Sequence, residues 1–365
     1  MKKSKTSGIL LVLGSAVLCV LIVLIMTYGD EKEQMAAVGF IMSGSVEEEG
    51  WNGEHYKGIK SACEKFNVEL LVKEDVLEFS GRCGEAIHEL VQEGAGMIVL
   101  SSYGYSEEVL EVIKEYPEVV FYSNSSEYHD ENLTSYFVRM YQMRYLSGII
   151  AGNESENGMI GYVAAMPNNE VNRGISAFTL GAKRVNPDAV VNVIWTGSWD
   201  DKESETAAAK TLIEDVGVDV ITYHQNQTYV AEVAERAGID SIGYHVALEE
   251  ASPHFLTSVV CKWDVLYEEL VQTFLQGKSN SVPNFWRGMA DGVVDLAPYS
   301  EYVSADTIAM VETAKKELLV SPGVFTGEIY DTEGRKRCEN NELISDEMLL
   351  EHFDWFVEGV EIYEE

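Results

Sequence analysis

Basic residues are scarce in this chain. Its 365 residues include 26 lysines and arginines against 61 aspartates and glutamates, so the formal net charge is −35. A phosphate backbone would repel so acidic a protein, which argues against nucleic-acid binding. The acidic side chains are most simply a solvated surface. No region is poor enough in apolar residues to indicate disorder, and a chain of this length can bury a large core, which we expect to form two lobes.

Cysteines are few and scattered. The five are Cys19, Cys63, Cys83, Cys261 and Cys338. Their spacings match no zinc motif, so we expect no metal site. A domain of this size does not need cross-links, so we expect buried free thiols, although a disulfide stays possible outside the cell.

The sequence also lacks the short motifs of several enzyme classes. It has no nucleophile elbow GxSxG, no HExxH, no GxGxxG after a strand and no P-loop. Carboxylates are so abundant that acidic pairs arise by chance and carry little weight. We therefore predict a protein that has no catalytic residues and needs no cofactor.

A long hydrophobic run extends from Gly8 to Met26 and follows three lysines. At roughly 1.5 Å per residue, a helix of this length nearly crosses a bilayer. The preceding lysines place the remainder of the chain outside the cytoplasm. Residues 1–34 are therefore predicted to be a signal or membrane anchor with a short stalk. We favour an uncleaved anchor, and a cleaved signal or a lipoprotein is the alternative.

The clearest structural pattern is a β–α–β unit in residues 159–201. The apolar run Met159–Ala164 suits a strand that is buried on both faces, and Val190–Trp195 is a second such strand. Between them, apolar residues recur at the three- and four-residue spacing of a helix. Short loops imply parallel strands with a right-handed crossover. Because strands and helices alternate elsewhere too, we predict an α/β protein with two doubly wound parallel-sheet lobes.

Tryptophans stand at the ends of predicted strands in both lobes. Trp199 follows the strand that ends at Trp195, and Trp51 opens the helix after the first strand. In open parallel sheets, ligands bind beyond the carboxyl ends of the strands. A tryptophan at such a position is poorly placed for the core and well placed to stack on a planar ligand.

The stretch GYVAAMPNNEVNRGISAFTLGAKRVNPDA, residues 161–189, resembles the basic membrane protein (PnrA-like) family. These bacterial solute-binding lipoproteins serve ABC transporters and bind purines. Shorter matches follow in the same order from Ala37 to the carboxyl end: GWN at 50–52, YGY at 103–105, RYLSG at 144–148, GYH at 243–245 and DWFVEGV at 354–360.

The resemblance implies a type I periplasmic binding fold, in which a hinge joins the two lobes and the chain crosses it three times. Lobe 1 is then expected to comprise residues 35–138 and 257–290. Lobe 2 is expected to comprise residues 139–256 and 291–365. Family members usually carry a lipid-attached cysteine after small residues, whereas Cys19 follows Val17 and Leu18.

The resemblance also implies that Trp51 and Trp199 sandwich a purine ring, although ordinary packing is the alternative. The further candidates for contacts with the ligand or the cleft are Asn52, Ser102, Tyr103, Asn124, Ser125, Arg144, Asn226 and His245. An asparagine amide suits a purine edge because it offers both a donor and an acceptor. Turns, helix caps and ion pairs are the alternatives for these residues.

The chain departs from its relatives at His245, where nucleoside-binding members have an aspartate that holds the ribose hydroxyls. A histidine accepts at most one hydrogen bond, so we expect a free purine base to bind more tightly than its nucleoside. An acidic residue common at the Asn226 position is also absent.

Together these features predict capture of a purine base or nucleoside between two lobes, for delivery to ABC permease subunits. The N-terminal segment would hold the protein at the extracytoplasmic face of the cell membrane. A membrane-tethered sensor of a purine-like ligand is one alternative, and an enzyme that processes purine nucleosides is another.

Overall fold

A computed structural model of the chain describes residues 37–126, 128–248, 252–278, 284–321 and 323–363. The predicted membrane anchor and stalk, with Cys19, lie outside these residues. Among the helices that are described, none is long and apolar enough to cross a membrane. The four described cysteines are buried and free, as expected.

The described elements alternate between strands and helices along most of the chain. In chain order the strands are β1 Ala37–Ile41, β2 Leu70–Lys73, β3 Ala95–Leu100, β4 Val120–Asn124, β5 Leu133–Val138, β6 Met159–Ala164, β7 Val190–Trp195, β8 Val220–His224, β9 Asp240–Tyr244, β10 Phe255–Cys261, β11 Asn284–Arg287, β12 Val294–Leu296, β13 Ile329–Tyr330, β14 Lys336–Cys338 and β15 Val360–Ile362. The helices are α1 Trp51–Phe66, α2 Cys83–Gln92, α3 Tyr105–Glu108, α4 Met140–Glu154, α5 Asn169–Val185, α6 Lys202–Thr211, α7 Tyr229–Ala237, α8 Trp263–Leu275, α9 Ala305–Val320 and α10 Asp346–Glu351.

The first sheet contains six parallel strands in the order β11–β5–β4–β3–β1–β2. Every residue of β1 and β3 is buried, which is why their sequences are continuous apolar runs rather than alternating ones. Helices α1 and α8 pack against each other beside this sheet. The strand order reverses between β1 and β3, and such a switch point is where open α/β sheets bind ligands.

The second sheet contains seven strands in the order β12–β10–β9–β8–β6–β7–β15. All its pairs are parallel except that of β12 with β10. Its order reverses between β6 and β8, so it also has a switch point at its carboxyl edge. The predicted class, two doubly wound parallel-sheet lobes of the type I periplasmic binding kind, is thereby confirmed.

Helices α4 and α5 pack very closely on the second sheet, and glycines allow the contact. A Cβ atom on Gly148 would lie 2.0 Å from the Phe178 oxygen, and one on Gly181 would lie 2.0 Å from the Tyr145 oxygen. Gly181 therefore lets α5 approach the neighbouring helix α4.

The chain passes between the two sheets three times, after β5, after β10 and after β11. The second of these passages comes later than the sequence predicted. Strand β10 runs through Thr257 and stays paired with β9 and β12, so the chain leaves the second sheet after Cys261. The strand continues past Thr257 even though its register with β9 shifts between Phe255 and Thr257.

Candidate functional site

A pocket lies where the carboxyl edges of the two sheets meet. It contains about 330 Å³ of space unoccupied by protein atoms, part of it open to solvent. Both switch points contribute to it, since Ser102 follows β3 and His224 ends β8. The residues that line it are Trp51, Ser102, Tyr103 and Asn124 from the first sheet's side, and Glu170, Trp199, His224, Asn226 and Tyr244 from the second.

The first-sheet wall is built around Trp51, the first residue of α1. Its side chain is mostly buried, and Nε1 donates to the Ser101 carbonyl oxygen at 3.0 Å. Asn124 ends β4 and is buried. Burial raises the pKa of Tyr136, and a hydrogen bond from the Asn124 side chain opposes this change. An amide nitrogen carries two hydrogens, so Asn124 keeps one donor for a ligand.

Trp199 stands on the opposite wall, after β7. Its Nε1 is buried and has no hydrogen-bond partner. The turn that carries it is held by Asp201, which caps α6 by accepting from the backbone N–H groups of Glu203 and Ser204. The backbone N–H of Asn226 also donates to the Trp199 carbonyl oxygen at 2.9 Å. The indole is thus positioned by backbone contacts while its own donor stays available.

A continuous series of rings, which we call the aromatic arc, connects the two tryptophans. The distances between ring centroids are 6.1 Å from Trp199 to His224, 4.2 Å from His224 to Tyr244, 3.9 Å from Tyr244 to His245 and 4.6 Å from His245 to Trp51. The three middle residues come from the ends of β8 and β9. All of its rings except His245 line the pocket, so the arc follows the pocket wall with one tryptophan at each end.

Glu170 is held against the middle of this arc. Its Oε1 accepts from His224 Nε2 at 3.3 Å and from the Tyr244 hydroxyl at 3.5 Å, and Ser125 of the first lobe also hydrogen-bonds the carboxyl group. Burial raises the pKa of Glu170, but the His224 hydrogen bond and nearby positive charge outweigh it and hold that pKa below its ordinary value. Its place in the first turn of α5 also favours the ionised form.

His224 is neutral at physiological pH. Burial lowers the pKa of this histidine to about 4, although the hydrogen bond to Glu170 opposes the change. Burial also lowers the pKa of His55 and of His245 well below the ordinary value. Below about pH 6.5, a histidine in the unfolded chain binds a proton, whereas these buried rings stay neutral. The free energy of unfolding is therefore not reduced by these histidines above pH 6.5, and it falls as the pH decreases below that value.

We expect His224 alone to lower the free energy of unfolding by about 3 kcal/mol between pH 6.5 and pH 4, since one pKa unit is about 1.4 kcal/mol. Urea titrations at several pH values measure this change. The variant His224→Gln should take up about one proton fewer on unfolding near pH 5.5. The variant His129→Gln, at an exposed position, should behave like the parent. Equal pH dependence in His224→Gln and the parent would contradict the assignment.

Six of the ten predicted site residues line the pocket: Trp51, Ser102, Tyr103, Asn124, Trp199 and Asn226. Asn52 does not, because its amide donates to Glu48 Oε2 at 2.8 Å and its oxygen accepts from Ser43 at 3.3 Å. Ser125 is outside the lining too, although it reaches Glu170.

Arg144 and His245 were predicted at the cleft, and both lie behind it. Arg144 is fully buried, donates to the Tyr223 carbonyl oxygen at 2.7 Å, and packs over the Tyr244 ring at 4.3 Å. His245 is buried with φ 65°, and neither ring nitrogen has a hydrogen-bond partner. Its imidazole contacts Trp51 and Tyr244 rather than the pocket.

Sequence reasoning missed three of the lining residues, Glu170, His224 and Tyr244, as ligand contacts. Within α5, Arg173 donates to the Leu349 carbonyl oxygen, and Glu170 bonds His224. Because open parallel sheets bind ligands at their strand ends, the positions of His224 and Tyr244 at the ends of β8 and β9 could have identified these two residues from the sequence. Glu170 lies in the first turn of α5 and carries no such signal.

The fold and the pocket define a two-lobed ligand-binding protein. The sequence profile of the family described as ABC transporter substrate-binding protein PnrA-like matches residues 35–321. The chain belongs to this family, which confirms the resemblance found in the sequence. The description of the family is that of solute-binding proteins.

Individual relatives carry different names. A purine-binding protein of Brucella abortus is 33% identical over 332 residues, which cover 90% of this chain and 94% of the relative. A candidate glucose-binding protein of an ABC transporter in Haloferax volcanii is 29% identical over 336 residues, covering 91% and 82%. The crystal structure of a transcriptional activator of the comK gene from Bacillus halodurans superposes with a TM-score of 0.67 at 26% identity, covering 78% of this chain and 98% of that one.

Proposed function

We propose that this substrate-binding protein captures a purine between its lobes and delivers it to an ABC permease. The observation that carries the proposal is the presence of Trp51 and Trp199 on opposite walls of one pocket. Stacking of a nucleobase on an aromatic side chain contributes about 1–3 kcal/mol per base. The name of the Brucella relative supports the same ligand class.

The polar groups of the pocket suit a heterocycle that both donates and accepts hydrogen bonds. Trp199 Nε1 is a donor without a partner, the Asn124 amide has a second N–H besides the one that Tyr136 accepts, and the Glu170 carboxylate is an acceptor. Buried polar groups that stay unpaired cost about 1–3 kcal/mol each. A ligand that pairs with them gains this free energy on binding, and a purine ring carries both donors and acceptors along its edges.

Delivery to a permease requires that the protein works outside the cytoplasm, and we propose the extracytoplasmic face of the cell membrane as its location. Family membership supports this placement. The N-terminal run of apolar residues would keep the protein beside its permease. Recovery of the full-length chain in the membrane fraction, with an unshortened intact mass, is the expected result, and a mature chain starting at a lipidated Cys19 would refute the uncleaved anchor.

Calorimetry with adenine, guanine, hypoxanthine, their nucleosides and glucose tests the ligand class. We expect at least one purine to bind and glucose not to bind. Glucose is the informative competitor because of the name of the Haloferax relative, and aromatic rings also stack on sugars. Binding of glucose with no response to any purine would refute the proposal.

The preference for a free base over a nucleoside needs separate measurement. It was predicted from His245, but His245 does not line the pocket, so its position gives the preference no support. Glu170 meanwhile supplies a carboxylate that can accept from ligand hydroxyl or N–H groups. The same calorimetric series compares the affinity for each base with the affinity for its nucleoside.

A further inference from the structure

Glu170 differs in chemistry from the rest of the pocket. Among the lining residues that the structure describes, it is the one carboxylate. It is only 8% exposed, and a buried charge is retained where it is well paired. An ionised carboxylate accepts about four hydrogen bonds. Its bonds from His224 and Tyr244 are long, at 3.3 and 3.5 Å, so the Ser125 contact does not exhaust its capacity.

The position of Glu170 determines which part of a ligand it meets. The tryptophans are the two ends of the aromatic arc, and Glu170 bonds two of the three rings between them, His224 and Tyr244. A planar ring stacked on Trp51 or Trp199 uses its faces for stacking. Its edges are then left for the polar groups of the lining, among them the Glu170 carboxylate.

We propose that Glu170 is a specificity-determining residue that selects purines with two adjacent N–H donors on one edge, as in guanine. The proposal rests on the proposed function. The N1–H and the 2-amino group of guanine point the same way, so they can bond both carboxylate oxygens, as a bidentate donor does. Adenine instead places the N1 lone pair beside its amino group, and that lone pair is repelled by the carboxylate.

The remaining donors of the pocket complement the same ring. Guanine carries acceptors at O6 and N7. Asn124 and Trp199 line the same pocket as Glu170. Trp199 Nε1 is a buried donor without a partner, and the Asn124 amide has a second N–H besides the one that the Tyr136 hydroxyl accepts. One carboxylate with donors around it matches a ring with paired donors on one edge and acceptors elsewhere. A ribose 2′,3′-diol also presents two adjacent donors, so the test must separate the base edge from the sugar.

The variant Glu170→Gln provides the test because its side chain keeps the shape and exchanges one acceptor for a donor. Guanine affinity should fall about thirtyfold, because the charge-assisted pair is lost. Adenine affinity should rise, since a glutamine amide offers the acceptor and donor pattern that reads adenine. Calorimetry with guanine and adenine measures both changes in affinity. Glu154→Gln is a matched control, a partly buried glutamate of the second lobe that accepts hydrogen bonds from Ser304 and Thr307 outside the pocket, and should keep the parent's preference.

The parent protein gives a second measurement that needs no variant. Hypoxanthine lacks the 2-amino group, so it should bind about tenfold more weakly than guanine, and adenine should bind more weakly still. A parent that prefers adenine, or a Glu170→Gln variant that changes both bases by the same factor, overturns the inference. If guanosine and adenosine bind equally and both weaken equally in Glu170→Gln, the carboxylate reads the sugar, which also overturns it. A parent that binds no purine refutes the proposed function itself.

Discussion

Replacing Gly50 by alanine should weaken ligand binding about a hundredfold while leaving each lobe folded. Gly50 has φ 107°, and a Cβ atom there would lie 2.1 Å from the Asn226 oxygen, which belongs to the opposite lobe. The next residue, Trp51, donates its backbone N–H to that same oxygen at 3.4 Å. The lobes thus touch at this point, and a methyl group would hold them apart.

The expected loss of affinity follows from the ligand contacts that disappear when the lobes are held apart. A ligand held by one lobe loses one stacking tryptophan and the polar groups of the other wall. One stacked face is worth about 1–3 kcal/mol, and one or two lost hydrogen bonds add about 0.5–1.5 kcal/mol each. A loss near 2.7 kcal/mol is about a hundredfold in affinity.

Gly94→Ala is the matched control for Gly50→Ala. Gly94 has φ 100°, so alanine is strained there to a similar degree, but a Cβ atom at this position meets nothing within 4 Å. Calorimetry with the tightest purine should show near-parental affinity for Gly94→Ala. X-ray scattering with ligand should show a larger radius of gyration for Gly50→Ala than for the parent. Unchanged affinity in Gly50→Ala would mean that the contact with Asn226 is not part of ligand capture.

The strand and helix pattern could be predicted well where burial makes the sequence uniform. Strands β1 and β6 lie inside doubly covered sheets, so their residues form the apolar runs that the sequence shows. Strand β5 is hard to predict from the sequence because Thr134 and Ser135 interrupt its apolar residues, although all six of its residues are buried. The short edge strand β12 offers only three residues, which is too little for a periodic signal.

The segment after β3 has the apolar spacing of a helix but does not form a continuous one. The structure has α3 Tyr105–Glu108 and a separate 3₁₀ turn at Ile113–Glu115. Val109 and Ile113 are buried at helical spacing, so the pattern was real. The segment is too short for helix propagation to outweigh the cost of nucleation, and packing of the two apolar side chains decides its shape.

The site was predictable where it depends on strand ends and unpredictable where it depends on packing between elements. Trp51 and Trp199 were found because each lies just beyond a strand. His245 lies beyond a strand as well, but its backbone turns to φ 65° and carries the ring behind Trp51. Only the assembled structure shows that turn. The same applies to Glu170, whose partner His224 is 54 residues away in the chain.

The two tryptophans should respond differently to truncation, although both replacements should weaken purine binding about tenfold, which corresponds to about 1.4 kcal/mol. Trp51 packs against His55 at 4.2 Å and Trp263 at 5.6 Å between ring centroids, and it is 9% exposed. Trp51→Ala should therefore also lower the free energy of unfolding by about 3–5 kcal/mol, the cost of removing a large buried side chain. Trp199 is only partly buried, so Trp199→Ala should lower it much less.

Urea unfolding and calorimetry on the same preparations separate these two effects. Trp195→Ala is the matched control, since Trp195 is also partly buried near the end of β7 and packs against Phe356 outside the pocket. It should keep the parent's affinity. Because the stability cost of Trp51→Ala could itself reduce the fraction of binding-competent protein, binding is measured well below the unfolding midpoint. Parental affinity in both Trp51→Ala and Trp199→Ala would show that neither indole stacks on the ligand.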